Sequence, residues 1–225
     1  MQNTINTLKE LRGIEDKVVV EYPYTTISSN QLVIGRIDTK ELDDEFETFG
    51  INNLRQFLSL VDSIGGEIKQ DGNVIRIEGK VKQTYEVTNP EFLENYTFDV
   101  GIFDKVLTID PETEITLDLE TLKTIKKMAS ILGHTQVVFD RGNNKIIITT
   151  MNDDGSLQNP TEIDLEMEGN TKIVIEIDHL NKLPEQDYNV KFVRNPSSGI
   201  VVSYWKNEDK PYEFLVATDE VDGES

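Results

Sequence analysis

Apolar and polar positions alternate along most of the chain in short runs of β-branched and aromatic residues. These predict strands at 17–22, 31–38, 74–78, 135–140 and 145–150. Turn residues separate the runs. Asp71-Gly72-Asn73, Gly142-Asn143-Asn144, Glu168-Gly169-Asn170 and Pro196-Ser197-Ser198-Gly199 supply positions that tolerate positive φ, and Asn152-Asp153-Asp154-Gly155 reads as a further turn. Four segments carry a helical period instead: 4–14, 53–64, 119–132 and 178–184. The chain is therefore expected to be α+β and rich in strands.

The first and third helical segments match at an offset of 114 residues, pairing Ile5 with Leu119, Leu8 with Leu122, Leu11 with Ile125 and Ile14 with Met128. Thr7-Leu8-Lys9 recurs as Thr121-Leu122-Lys123, and Arg12 falls opposite Lys126. The second and fourth match more weakly, and three strand-like runs follow each. A duplicated domain is the simplest reading: an N-terminal unit at 1–100 and a C-terminal unit at 114–225, with two helices each. Residues 101–113 fit neither repeat and read as an extended connector, because Pro111 cannot donate to a ladder. The acidic tail from Thr218 is expected to fray.

Charge sharpens this picture. The chain has 225 residues, 22 Lys plus Arg against 42 Asp plus Glu, and a formal charge of −20. Yet the helical segments, taken with their flanks as 1–14, 52–64, 118–132 and 178–186, carry seven cations (Lys9, Arg12, Arg55, Lys123, Lys126, Lys127, Lys182) and six carboxylates, so the deficit lies in the strands and loops. On the third helix Lys123 and Lys127 point away from the apolar stripe of Leu119, Leu122, Ile125, Met128, Ala129 and Leu132. A solvated face with charges matched to the helix dipole explains one such helix. Lys9, at the equivalent position of the first helix, suggests a basic strip that recurs.

Catalytic chemistry is hard to find. There is no cysteine, no Gly-rich phosphate loop, and only His134 and His179 to offer imidazole. His134 follows Gly133 at a helix end and reads as a surface residue. The alternating Glu112, Glu114, Thr116 and Asp118 share one strand face and read as solvated rather than as a metal cluster. No metal or cofactor is expected, nor an enzyme. No apolar run is long enough to span a membrane, and Lys9 and Arg12 interrupt the apolar pattern at the start. These features point to a cytoplasmic protein.

Element order, duplicated helices and charge partition together resemble the DNA polymerase sliding clamps, nearest to those of T-even-type tailed bacteriophages and related to proliferating cell nuclear antigen. The resemblance is carried by residues 53–61, 71–77, 115–125 and 145–148. It implies a closed homotrimeric ring of six clamp domains, with strands outside and helices lining a hole for duplex DNA. The seven cations above would face DNA. Edge strands near 82–88 and 162–168 would join the subunits. The partners it implies are the replicative DNA polymerase, an ATP-dependent clamp loader and, as in relatives, transcription factors. Partner peptides would dock in a groove formed by Val106, Leu107, Ile109, Phe192, Phe214 and Val216. The competing readings are a β-rich viral structural or adaptor protein with a duplicated domain, and a hydrolase using paired carboxylates.

Overall fold

The computed structural model describes residues 1–151, 156–169 and 172–221; the turn expected at 152–155, Asn170 and the last four residues lie outside this description. The chain forms two units. One comprises Met1–Val100 with Glu208–Glu213, the other Gly101–Asn207 with the residues from Phe214 onward. Among the described residues no helix is long and apolar enough to cross a membrane.

The first unit opens with α1 (Gln2–Leu11), which buries Ile5, Leu8 and Leu11. Strands β1 (Val18–Val20), β2 (Tyr24–Ser29), β3 (Val33–Asp38) and β4 (Phe49–Ile51) form an antiparallel sheet in the order β4-β1-β2-β3. Helix α2 (Leu54–Ile64) starts where the Asn53 side chain accepts from the Gln56 amide at 2.9 Å. It buries Leu54, Phe57, Leu58 and Val61 on one stripe. Strands β5 (Glu67–Asp71), β6 (Val74–Glu78) and β7 (Lys82–Glu86) then form a three-stranded meander, and Gly72 provides its first turn at φ +57°. Beyond β7, Thr88 bridges to Gly50 of β4, and residues Pro90–Tyr96 make a 3-10 turn. The late segment 208–213 completes this unit. Lys210 and the Tyr212 hydroxyl reach the Glu10 carboxylate at 2.8 and 2.6 Å, and Arg36 forms a buried ion pair with Glu213.

The second unit opens with α3 (Gly101–Leu107), followed by β8 (Thr113–Leu117) and α4 (Leu119–Leu132). Asp118 caps α4 by accepting from the Thr121 amide at 2.7 Å, and Gly133 ends it in the left-handed region at φ +70°. Strands β9 (Gln136–Asp140), β10 (Lys145–Met151), β11 (Leu157–Asp164) and β12 (Lys172–Glu176) belong to a sheet ordered β11-β10-β9-β12-β16, where β16 is Asp219–Val221. Helix α5 (Ile177–Lys182) leads to β13 (Tyr188–Arg194), β14 (Val201–Lys206) and β15 (Tyr212–Ala217). The order in their sheet is β8-β13-β14-β15. A helix, four strands, a second helix and three strands thus occur in succession in each half of the chain.

Three expectations need correction. Residues 101–107 are helical, not extended, with Phe103 and Val106 turned inward. The spacing of Phe103, Val106 and Leu107 was the available signal. The tail does not fray at 219–221, because β16 pairs antiparallel with β12. His134 is buried at 7% exposure, its Nε2 3.0 Å from the Asn159 carbonyl and its Nδ1 3.4 Å from Thr150 Oγ1. The acceptor at Nε2 requires the proton there.

Candidate nucleic-acid interface

The seven helix cations do not stand alike. On α1, Lys9 is half-buried, with Nζ 2.6 Å from an Asp62 carboxylate oxygen on α2. This pair links the two helices and partly neutralises the lysine's charge locally. Arg12, one residue past the end of α1, is exposed. Arg55, in the first turn of α2, is also exposed and lies 3.0 Å from Asp16.

On α4 neighbouring lysines diverge. Successive residues turn by about 100°, so Lys126 lies roughly 40° from Leu122, on the border of the apolar stripe, whereas Lys123 and Lys127 project outward. The Lys126 stem is consequently half-buried and its ammonium donates to the Leu183 carbonyl at 2.8 Å, at the C-terminal end of α5. Burial holds the Lys126 ammonium below its ordinary pKa, partly opposed by Glu185. Lys126 is therefore a tie between helices, which corrects its place in the outward strip. Lys123 stays exposed with Glu120 3.5 Å away, Lys127 is exposed and makes no ion pair among the described residues, and Lys182 is half-buried on α5. Such exposed pairs are weak and compete poorly with a phosphate.

The six residues expected to form a partner groove also separate. Phe192, Phe214 and Val216 are fully enclosed, with Phe192 against Phe139 at 5.1 Å and Phe214 against Tyr188 at 6.2 Å between ring centroids. They belong to the core, because Phe192 shares inward parity with Tyr188 and Val190 on β13. Val106 is buried, Ile109 is half-buried, and only Leu107 is well exposed, at 46%. An open groove lined by all six is not present.

Glu112 leaves the solvated face foreseen for it. Its carboxylate accepts from Arg194 and, at 3.0 Å, from Arg141, whose Nε also donates to the Glu168 carbonyl at 2.7 Å. The Arg194 hydrogen bond, assisted by Arg141 and opposed by burial, holds the Glu112 carboxyl below the ordinary range. Glu114, Thr116 and Asp118 remain exposed, and among the described residues no group of acidic or histidine side chains is arranged to hold a metal ion.

Both regions expected to join subunits include an edge strand. β7 pairs only with β6 and β11 only with β10 among the described residues, so each has a free side. The second edge runs Leu157–Asp164, earlier than the expected 162–168. The stretch beyond it is held by Asn144, whose carbonyl and side chain accept from the Leu165 and Met167 amides, both at 2.9 Å.

No family model matches the chain. Solved structures supply the decisive likeness: proliferating cellular nuclear antigen from Entamoeba histolytica superposes with a TM-score of 0.63 at 13% identity over 96% of this chain and 95% of that one. The chain has the sliding-clamp fold. The A. fulgidus antigen, solved with the C-terminal region of FEN-1 bound, matches this clamp fold with a TM-score of 0.63 at 13% identity, over 99% of this chain and 97% of its own. The Helicobacter pylori beta clamp bound to a DNA ligase peptide matches all of this chain and 66% of its own, with a TM-score of 0.57 at 16% identity. In sequence, the sliding clamp of Vibrio phage KVP40 is 24% identical over 198 residues, which is 84% of this chain and 87% of that protein.

Proposed function

We propose that the chain assembles with two further copies into a closed ring around duplex DNA, and that the ring tethers the replicative DNA polymerase as a processivity factor. The observation that carries this reading is the likeness to a phage sliding clamp along most of both chains, joined to a fold that repeats its helix-and-strand order. Sliding clamps are a non-catalytic family. An ATP-dependent loader would open the ring and close it on DNA.

The electrostatics support the same role. A ring holds DNA by topology, so it needs mobility more than affinity, and a few exposed cations give weak, sequence-independent phosphate contacts. Arg12, Arg55, Lys123, Lys127 and Lys182 are the contacts proposed, with Lys9 and Lys126 contributing field rather than touch. A strongly negative remainder discourages DNA from settling elsewhere. Subunits would join through β11 and the 82–88 stretch. Partner peptides, from the polymerase or from transcription factors, would anchor on Leu107 and Ile109 beside α3.

The test is product length on primed circular DNA. The protein should lengthen the products of its cognate polymerase only when loader and ATP are both present, and should behave as a trimer in light scattering. Stimulation of equal size without a loader, or a compact monomer, would overturn the ring.

A further inference from the structure

One surface of the first unit borders the 82–88 stretch. A cleft of about 660 Å³ opens between the loop before β4, the β5–β6 turn and the segment after β7. It is continuous with a neighbour of about 690 Å³, since Glu47 and Gly72 line both. The walls are set by backbone bonds. The Val87 amide donates to Asn73 at 3.0 Å, and Gly50 and Thr88 exchange hydrogen bonds of 2.9 and 2.8 Å. At one rim stands Phe92, 78% exposed. Its presentation is built in: Asn89 caps the 3-10 turn by accepting from the Glu91 amide at 3.1 Å, and Leu93 at 3% exposure anchors the inner side, leaving Phe92 outside. Phe46 adds a second, half-buried ring.

The charge of this cleft is of one sign. Glu45, Glu47 and Glu86 line it, are exposed, and have no side-chain hydrogen bond or ion pair among the described residues. Asp71, also in the lining, is already paired with Arg76. Four other cations of the unit are committed elsewhere: Lys9 to Asp62, Arg36 to Glu213, Arg55 to Asp16 and Lys69 to Glu67. Carboxylates repel phosphate, so neither nucleic acid nor an anionic bilayer fits. Lysine or arginine side chains fit on both counts. Their heads pair with the carboxylates while their stems lie along aromatic rings.

We propose that this cleft is a docking site for a cationic peptide segment of another protein, one that carries an apolar side chain to cover Phe92. The site adjoins the 82–88 stretch proposed to join subunits, sharing Glu86, Val87 and Thr88 with it, and does not include Leu107.

The experiment maps amide shifts of the full-length protein on titration with a short synthetic peptide of alternating lysine and glycine around a central Leu-Trp pair. Shifts should gather at residues 45–49, 71–73 and 86–92, and binding should weaken as salt rises. Phe92→Ala and the pair Glu47→Gln with Glu86→Gln should each weaken binding about tenfold, with the far-ultraviolet spectrum unchanged. A control peptide with glutamate for lysine should not bind. Equal binding of both peptides, shifts spread over the acidic surface, or unaltered affinity of Phe92→Ala would overturn the assignment. So would burial of Phe92 by self-association beyond the trimer, which light scattering of the same samples detects.

Discussion

Lys126 and Lys127 are adjacent in sequence, and the structure gives them opposite consequences when replaced by methionine, which keeps an unbranched stem. Lys126→Met removes a donor 2.8 Å from the Leu183 carbonyl. A hydrogen bond to a charged group is worth about 1.5–3 kcal/mol net, and half-exposure trims this to about 1–2 kcal/mol. Lys127→Met breaks no ion pair or side-chain hydrogen bond among the described residues and should move stability by about 0.5 kcal/mol or less. Urea titration followed through Trp205 reads the difference, because that indole is fully buried and bonded to Ser203 at 2.8 Å. In the polymerase assay the order reverses. Lys127→Met should lose stimulation at a concentration where Lys126→Met, still folded, keeps most of it. Equal destabilisation by both, or loss of stimulation confined to a fully stable Lys126→Met, would refute the division between tie and contact.

Reversing Arg12, Lys123 and Lys127 to Glu together should leave the fold intact and sharply reduce loading, most of all at low salt, whereas Lys80, Lys82 and Lys206 to Glu should do much less; product length on primed circular DNA is the readout. Ile163→Pro, in the edge strand β11, should give monomers in light scattering with strand content retained. Because the Glu112 carboxyl is held below its ordinary 4.5, its contribution to stability is complete above that pH and is lost as pH falls through the lower folded value. Glu112→Gln should therefore remove part of the acid dependence of unfolding seen below that pH in denaturant titrations.

The parts of this fold legible in sequence are those that local chemistry dictates. α4 is written from Asp118 to Gly133 by its cap, its stripe and its stop, and the turns at Gly72, Asn144 and Gly199 are announced by residues that accept φ of +57°, +56° and +73°. α3 escaped because Pro111 and the neighbouring β-branched residues suggested an extended strand, and tertiary packing of Phe103 overrode that preference. Lys126 escaped because a residue on the border of a stripe is placed by what packs against it, here the end of α5. Phe192 and Phe214 looked like groove walls when only their hydrophobicity was visible; their enclosure depends on strands distant in sequence. His134, bonded to Asn159 across the β10–β11 bulge, could be located only from that pairing.

The return of residues 208–213 to the first unit bears on how the protein is born. During synthesis residues 1–100 leave the ribosome long before their last partners, so Arg36 must wait without Glu213, and Glu10 without Lys210 and Tyr212. An arginine awaiting burial has no compensating carboxylate until nearly the whole chain has emerged. The first unit is thus the earlier to be made and cannot be the earlier to finish. A nascent chain stalled before Glu208 should expose it to protease, and release of the full chain should close both units together.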